Sequence, residues 1–453
     1  MINNMKRFEI FYILLISLAW TSCSKEFLEP EVTSDKEVTT SVNTLEDLQG
    51  LILGAYDRMN TSDYYGRDYV IFADVRSDNA FSNANSGRFV QPAQFAVNAA
   101  DAYPRNTWRR IYQVISSANI IIGAEVENND SDEVQYVKGQ AHAIRALAYM
   151  DLLRLYGQQH VTGGNNMGVP IITEFLDDNI YPERAAVDKV WDQVETDLLA
   201  AENKMKQELD GSSPIFMTSW AALALQSRLY LYTKEWSKAA TAAKKVIDSG
   251  LFAISATGNP GKGSSSSVFE LAYTGADNEG INGLFFILQN TVYGDIEVTT
   301  DLYNVYEAGD VRRALFTNNG GTIRVTGKYN SPDYTDHVFV IRYEEVLLNY
   351  AEALINQDAA NALEALNVVP LARNASPYAE ATVDNLLLER RKELAMEGHR
   401  FFDLTRYGRG IPYVDPGQTF GASGIPYGST KLAFPIPESE VDANPAMVQN
   451  KGY

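Results

Sequence analysis

Along much of the chain, apolar residues recur every three or four positions, the period of an amphipathic helix. Thr44, with Asp47 three residues on, reads as the N-cap of a helix through Met59. Trp108, Ile111, Tyr112, Ile115, Asn119 and Ile122 mark one face of a second helix. Val137, Ala141, Ile144, Ala148, Leu152 and Leu155 mark a third. After a loop at 157–170 comes a fourth, carrying Val187, Val190, Trp191, Val194, Leu198, Ala201 and Met205. Between 217 and 233 apolar residues lie on several sides, so that helix must be buried between neighbours. Trp236, Ala239, Ala240, Ala243 and Ile247 follow, ending at Gly250.

Ser227, Tyr230 and Ala239 fall on the small–aromatic–small spacing of a tetratricopeptide helix pair. Tyr350–Val369 repeats the theme more loosely, with Pro370 interrupting its second helix. Small residues let paired helices approach closely, and stacked pairs build a solenoid. About eight core helices are expected. The helical period fails twice, at 60–105 and 251–337, where Gly, Asn, Asp, Ser and aromatics dominate. Long irregular stretches are functional or disordered, and the aromatic content argues against disorder. Short β-like runs occur in the second, at Val268–Tyr273, Leu284–Leu288 and Thr322–Val325. The Gly- and Pro-rich stretch 409–453 is expected to wrap the surface.

Val383–Gly408 concentrates both apolar residues and charge. Leu386, Leu387, Arg390, Leu394 and Glu397 fall at helical spacing, among Glu389, Arg391, Lys392, Glu393, Arg400 and Asp403. Gly398 is placed to end the helix. This combination implies a partly buried ion network serving architecture. The stretch also resembles the ER-x-EL-x-x-EG-x-R-x-x-DL-x-R signature of the SusD/RagB family. Three more stretches agree, in order: the RYEEVLLNYAEALIN helix from Arg342 to Asn356, Gly139–Pro170 with its YG and GVP elements, and the FPIPESEVDANPAMVQNKGY ending from Phe434 to Tyr453. Lys451 and Tyr407 depart from the residues frequent in the family. The resemblance implies a mostly α protein with four tetratricopeptide-like helix pairs as scaffold. Long irregular insertions would carry the short strands.

The N-terminus reads as a secretory leader over residues 1–22: Lys6 and Arg7, then an apolar run from Ile10 to Trp20 too short to span a bilayer. It ends in Thr21-Ser22 before Cys23, the only cysteine, which excludes an intrachain disulfide framework. Cys23 is the expected lipidation site, and each buried CH₂ of an acyl chain adds ~0.8 kcal/mol of anchoring. Ser24-Lys25-Glu26 resembles the short acidic signal for the outer leaflet. Residues 23–40 are expected to form the lipidated N-terminus and tether, and 41–453 the SusD-like domain, with its insertions near 60–105 and 251–337. A net charge of −20 argues against nucleic acid as a partner.

The search for catalytic chemistry is negative. His142, His160, His337 and His399 show no zinc spacing, no EF-hand loop appears, and Gly258–Ser264 reads as a flexible loop rather than a phosphate cradle. No cofactor and no metal is expected. The positive signal is the 26 tyrosines, many within the two irregular stretches. Aromatic faces match the CH face of a sugar, and side-chain polar groups match its hydroxyls. The candidate ligand residues are Tyr64, Tyr65, Tyr69, Asp74, Arg76, Asp78, Asn79, Phe81, Tyr103, Tyr293 and Tyr303, with Arg88 and Asn290 as further donors. The expected function is capture of an oligosaccharide or polysaccharide at the cell surface, with no chemistry done on it. The family resemblance implies outer-membrane localisation and delivery to a SusC-like TonB-dependent transporter. Peptide capture, a surface glycosidase and a purely structural helical adaptor are the competing readings.

Overall fold

In the computed structural model, residues 42–175, 180–289 and 291–453 are described. The leader, Cys23, the tether and Asn290 lie outside them. Fifteen α-helices and six short strands occur among the described residues. Helices α1 (Leu45–Asn60), α4 (Ala102–Gly123), α5 (Asp132–Tyr156), α6 (Val187–Lys204), α7 (Ser219–Tyr232), α8 (Trp236–Asp248), α11 (Tyr343–Ile355) and α12 (Ala362–Ala372) form the scaffold. Each packs on the one listed before it, so the array is a mostly helical stack in the order expected from the periodicity.

Local chemistry starts these helices where the sequence puts them. Thr44 Oγ1 accepts from Asp47 N–H at 3.2 Å while the Asp47 carboxylate accepts from Thr44 N–H at 2.9 Å, a reciprocal capping box. Ser131, Thr218 and Thr382 cap α5, α7 and α13 (Val383–Glu393) in the same way with one hydroxyl each. Ala141, Ala143, Ala146 and Ala148 of α5 are all fully buried, which lets neighbouring backbones come close. Helix α7 is buried on every side from Ala221 to Leu231.

Four local expectations change. Leu284–Leu288 is a short helix, α9, and not a strand; a five-residue apolar run has no period to distinguish the two, and here it follows a 3₁₀ turn at Gly280–Asn282. Helix α13 stops at Glu393, before Gly398. Met396 and Gly398 take left-handed φ of 63° and 83°, turning the chain into α14 (Arg400–Arg406). Pro370 sits inside the last turn of α12, which runs on to Ala372. The stretch after 409 does not merely cover the surface: Ile411, Ile425, Leu432, Phe434 and Ile436 are buried. Arg76 holds that tail, its guanidinium stacked 4.2 Å from both the Phe401 and Phe434 rings and donating to the Lys431 and Leu432 carbonyls.

The two irregular stretches are joined to one another. Strand β1 (Ala80–Ser82) pairs antiparallel with β3 (Ile296–Val298), Phe81 facing Glu297. Strands β2 (Ser267–Leu271) and β6 (Val338–Arg342) close the base of the second stretch. Between them β4 (Phe316–Asn319) and β5 (Thr322–Val325) form a hairpin whose two-residue turn, Gly320-Gly321, has φ of 63° and 101°, values that suit glycine.

The charged stretch is the junction of all these parts. The Glu393 carboxylate accepts from Arg312 at 3.0 Å, Arg342 at 2.7 Å and Arg373 at 2.8 Å, all fully or almost fully buried. Glu397 binds Arg342 and Lys328, Glu389 binds Arg312, and Glu344 binds Arg373. Arg390 ties Asp403 to Asn349 of α11, and Arg406 joins Asp403 to Glu352. Burial pushes the Glu393 carboxyl up, but the surrounding guanidiniums outweigh it and hold it well below the usual range. At Glu345 burial is likewise overcome, and the pKa falls from 4.5 to about 2. The bidentate Arg228 fork at 2.7 Å is the largest of the effects that overcome burial, with His399 and Arg390 adding to it.

Two outcomes follow. Glu393→Ala leaves three buried guanidiniums facing a void and lowers unfolding free energy by about 3–5 kcal/mol in a denaturant titration. Because the folded pKa of Glu345 is depressed, its contribution is complete above the unfolded pKa of 4.5 and is lost as pH falls towards about 2. The stability gap between wild type and Glu345→Gln therefore stays constant from pH 7 to 5 and narrows below pH 4.5, as read by denaturant midpoints across that range.

Candidate ligand-binding surface

Most of the residues singled out in the first irregular stretch face the protein interior. Helix α2 (Asp68–Val75) runs through it, every residue buried, the two aspartates included; a helix of eight residues buried on all sides carries no period to reveal it. Tyr64, Tyr65 and Tyr69 pack ring against ring, with centroids 4.6–5.7 Å apart. All three hydroxyls donate to Asp151 of α5, those of Tyr64 and Tyr65 at 2.6 and 2.7 Å. Burial, and then the Asp151 charge, push the Tyr64 hydroxyl well above its ordinary pKa. These rings fix the stretch to the scaffold.

The polar cluster behind them has the same role. Asp74 accepts from Asn79 and from the Met396 and Gly398 amides, and its burial lifts its pKa to about 6. Asp78 pairs with Arg400 at 2.7 and 2.8 Å; burial opposes its ionisation, and Arg400 and Arg391 overcome it and hold the pKa down. Asn79 also receives Arg391 at 2.9 Å. Arg76, without a carboxylate partner among the described residues, has its pKa lowered by burial to about 10. Tyr103 is half-buried, stacks on Phe89 at 5.1 Å and accepts the Phe89 amide, and burial lifts its pKa to about 12. Phe89 needs that support, since its φ of 59° is unusual for a bulky residue. The half-buried Phe81 ring lies over Gly417, where a Cβ would fall 2.2 Å from it.

What remains on the outside lies where the two irregular stretches meet. The turn after β1 is stitched to the segment before β3. Asn83 donates to Gly294 O and Glu297, Asn85 to Tyr293 O at 2.6 Å, and Ser86 twice to the Asp295 carboxylate. Arg88 reaches back to Ser86 and lays its guanidinium 4.7 Å above the Tyr293 ring. Tyr293 contacts Phe286 at 5.4 Å, Phe286 contacts Tyr334 at 5.2 Å, and Tyr334 contacts Phe285 at 5.3 Å. All four rings are half-exposed. Tyr334 holds a φ of 62°, a backbone conformation few tyrosines adopt. Next to this stripe, the cleft between Tyr273, Phe285 and Tyr334 has a volume of about 20 Å³, room for a water and not a sugar. These rings are therefore open to contact from the solvent side and not through that cleft. Tyr303 stands apart, half-exposed under the Arg313 guanidinium at 4.6 Å.

Of the expected site residues, only Tyr293 joins this stripe. Arg88 was legible as a flanking donor. Phe285 and Phe286 were missed because their run reads as a core strand. Their alternation with the buried Leu284 and Ile287 is a feature of the helix alone. Among the described residues no group of carboxylates, histidines or cysteines is arranged to hold a metal.

A stacked-helix scaffold with two strand-linked irregular segments defines the fold class, and comparison narrows that class to one family. The family model described as "Starch-binding associating with outer membrane", SusD-like, matches residues 26–231, and that of the SusD family matches 316–453. A SusD-like protein of Formosa agariphila is 24% identical over the full length of both chains. Among solved structures, a SusD superfamily protein of Bacteroides thetaiotaomicron is 28% identical with a TM-score of 0.81, covering 90% of this chain and 99% of its own. The surface glycan-binding protein A of Bacteroides fluxus shares the fold at 23% identity, with a TM-score of 0.75 over 91% of this chain and 100% of its own. This chain belongs to the SusD/RagB family.

The interior role of the tyrosine trio has a direct test. Tyr65→Phe removes one donor of three and costs about 1 kcal/mol in denaturant unfolding, whereas Asp151→Ala strands three buried hydroxyls and costs about 3 kcal/mol or more.

Proposed function

We propose that this chain is a cell-surface lipoprotein that captures an oligosaccharide on the Tyr293–Phe286–Tyr334 stripe and hands it to a SusC-like TonB-dependent transporter. One observation carries the ligand site: a row of half-exposed rings, flanked by Arg88 and Asn85, at the junction of the two irregular segments. Rings on a rigid scaffold provide flat apolar faces, and the guanidinium and amide beside them provide donors for sugar hydroxyls. The starch-binding, outer-membrane description of the matching family supports both the ligand class and the location. No helix among the described residues is long and apolar enough to cross a membrane, so in this reading attachment falls to an acyl group on Cys23. The protein binds and releases; the reading assigns it no bond-breaking step.

Each part has its own measurement. In calorimetric titrations against a polysaccharide panel, Tyr293→Ala weakens binding on the order of tenfold, since one aromatic contact contributes about 1 kcal/mol beyond its burial. Arg88→Ala lowers affinity less, while Tyr65→Phe leaves it unchanged. Binding of cationic peptides in place of every glycan would favour the peptide reading, and slow release of reducing sugar would favour a glycosidase. Cys23→Ser moves the protein from the membrane fraction to the soluble fraction. Recovery of no large outer-membrane barrel with the native protein would remove the transporter from the proposal.

A further inference from the structure

A second aromatic platform lies on the helical scaffold, away from the junction of the irregular segments. Trp220, in the first turn of α7, is half-exposed, and its side chain has no ring contact, cation contact or hydrogen bond with any described residue. Trp108 and Trp191, by contrast, are packed against neighbouring tyrosines. Two grooves share the Trp220 ring as a wall. One, of about 710 Å³, runs past Asn203 and Glu208 at the ends of α6 and the following turn. The other, of about 410 Å³, runs past Ser212, Phe252 and Ser267. Both volumes lie in the range of small-ligand sites.

We infer that Trp220 is a second carbohydrate-binding platform, taking one sugar residue of a polysaccharide against the indole face. The inference rests on the carbohydrate reading above and adds a site to it. The wall chemistry favours a sugar over an apolar partner. An apolar occupant would strip water from the Asn203 amide in the first groove or from the Ser212 hydroxyl in the second, at a cost, whereas a sugar hydroxyl both donates and accepts. The indole N–H is one more donor at the edge of the apolar face it would stack. Two platforms on one molecule would let a long polymer bind more tightly than a short fragment of it, because the second contact becomes intramolecular.

The test is affinity electrophoresis of the full chain through gels containing soluble amylopectin, xylan, mannan, β-glucan or alginate. Wild type, Tyr293→Ala, Trp220→Ala, Trp220→Phe and the Tyr293→Ala/Trp220→Ala pair run side by side, with thermal melts confirming that each is folded. In the gel that slows wild type, Tyr293→Ala keeps part of its retardation, and adding Trp220→Ala removes the remainder. Trp220→Ala alone weakens binding to the polymer on the order of tenfold, and Trp220→Phe recovers part of it. Unchanged retardation on adding Trp220→Ala, or complete loss with Tyr293→Ala alone, overturns the second platform and leaves the first intact. A wild-type protein slowed by none of the polymers overturns the carbohydrate reading and this site with it.

Discussion

Glu393 accepts hydrogen bonds from three buried guanidiniums, and those guanidiniums come from three separate parts of the chain. Arg312 belongs to the second irregular segment, Arg342 to the end of β6, and Arg373 to the residue closing α12. None of the three charges can be taken out of water without its partner, so folding must bring all of them to one carboxylate at once. Glu389, Glu397 and Glu344 extend the arrangement, and Lys328 closes one side. The network acts as a geometric constraint more than as a source of net stability: it permits only the arrangement in which the second irregular segment is seated.

The same logic extends towards the first segment. Arg391 and Arg400 leave α13 and α14 to reach Asp78 and Asn79, while Asp74 receives the backbone amides of the turn between those helices. Asp151 collects the tyrosines from the other side. Once both segments are held, β1 and β3 can pair, and the half-exposed rings of Tyr293, Phe286 and Tyr334 are left along their junction. Buried charge on the inside is thus what allows an otherwise irregular loop to present aromatic side chains outward without collapsing onto them.

Helix periods and caps made the scaffold readable: the Thr44 box, the all-round apolar α7 and the Val137–Leu155 face of α5 are local patterns that the fold reproduces. The charge density of Val383–Gly408 was likewise enough to expect a buried ion network, because so many charges among leucines and phenylalanines have nowhere else to pair. Helix α2 and the short α9 escaped, since neither carries a period long enough to separate helix from strand.

The sequence by itself determined which residues are chemically suited to a sugar: tyrosines, amides and guanidiniums crowded into two stretches. Only tertiary structure decided which of them face solvent. Tyr64, Tyr65 and Tyr69 carry the same side chain as Tyr293, but a carboxylate eighty-odd residues away draws their hydroxyls inward. Burial is a property of partners distant along the chain, and no local pattern in a loop encodes where those partners will be.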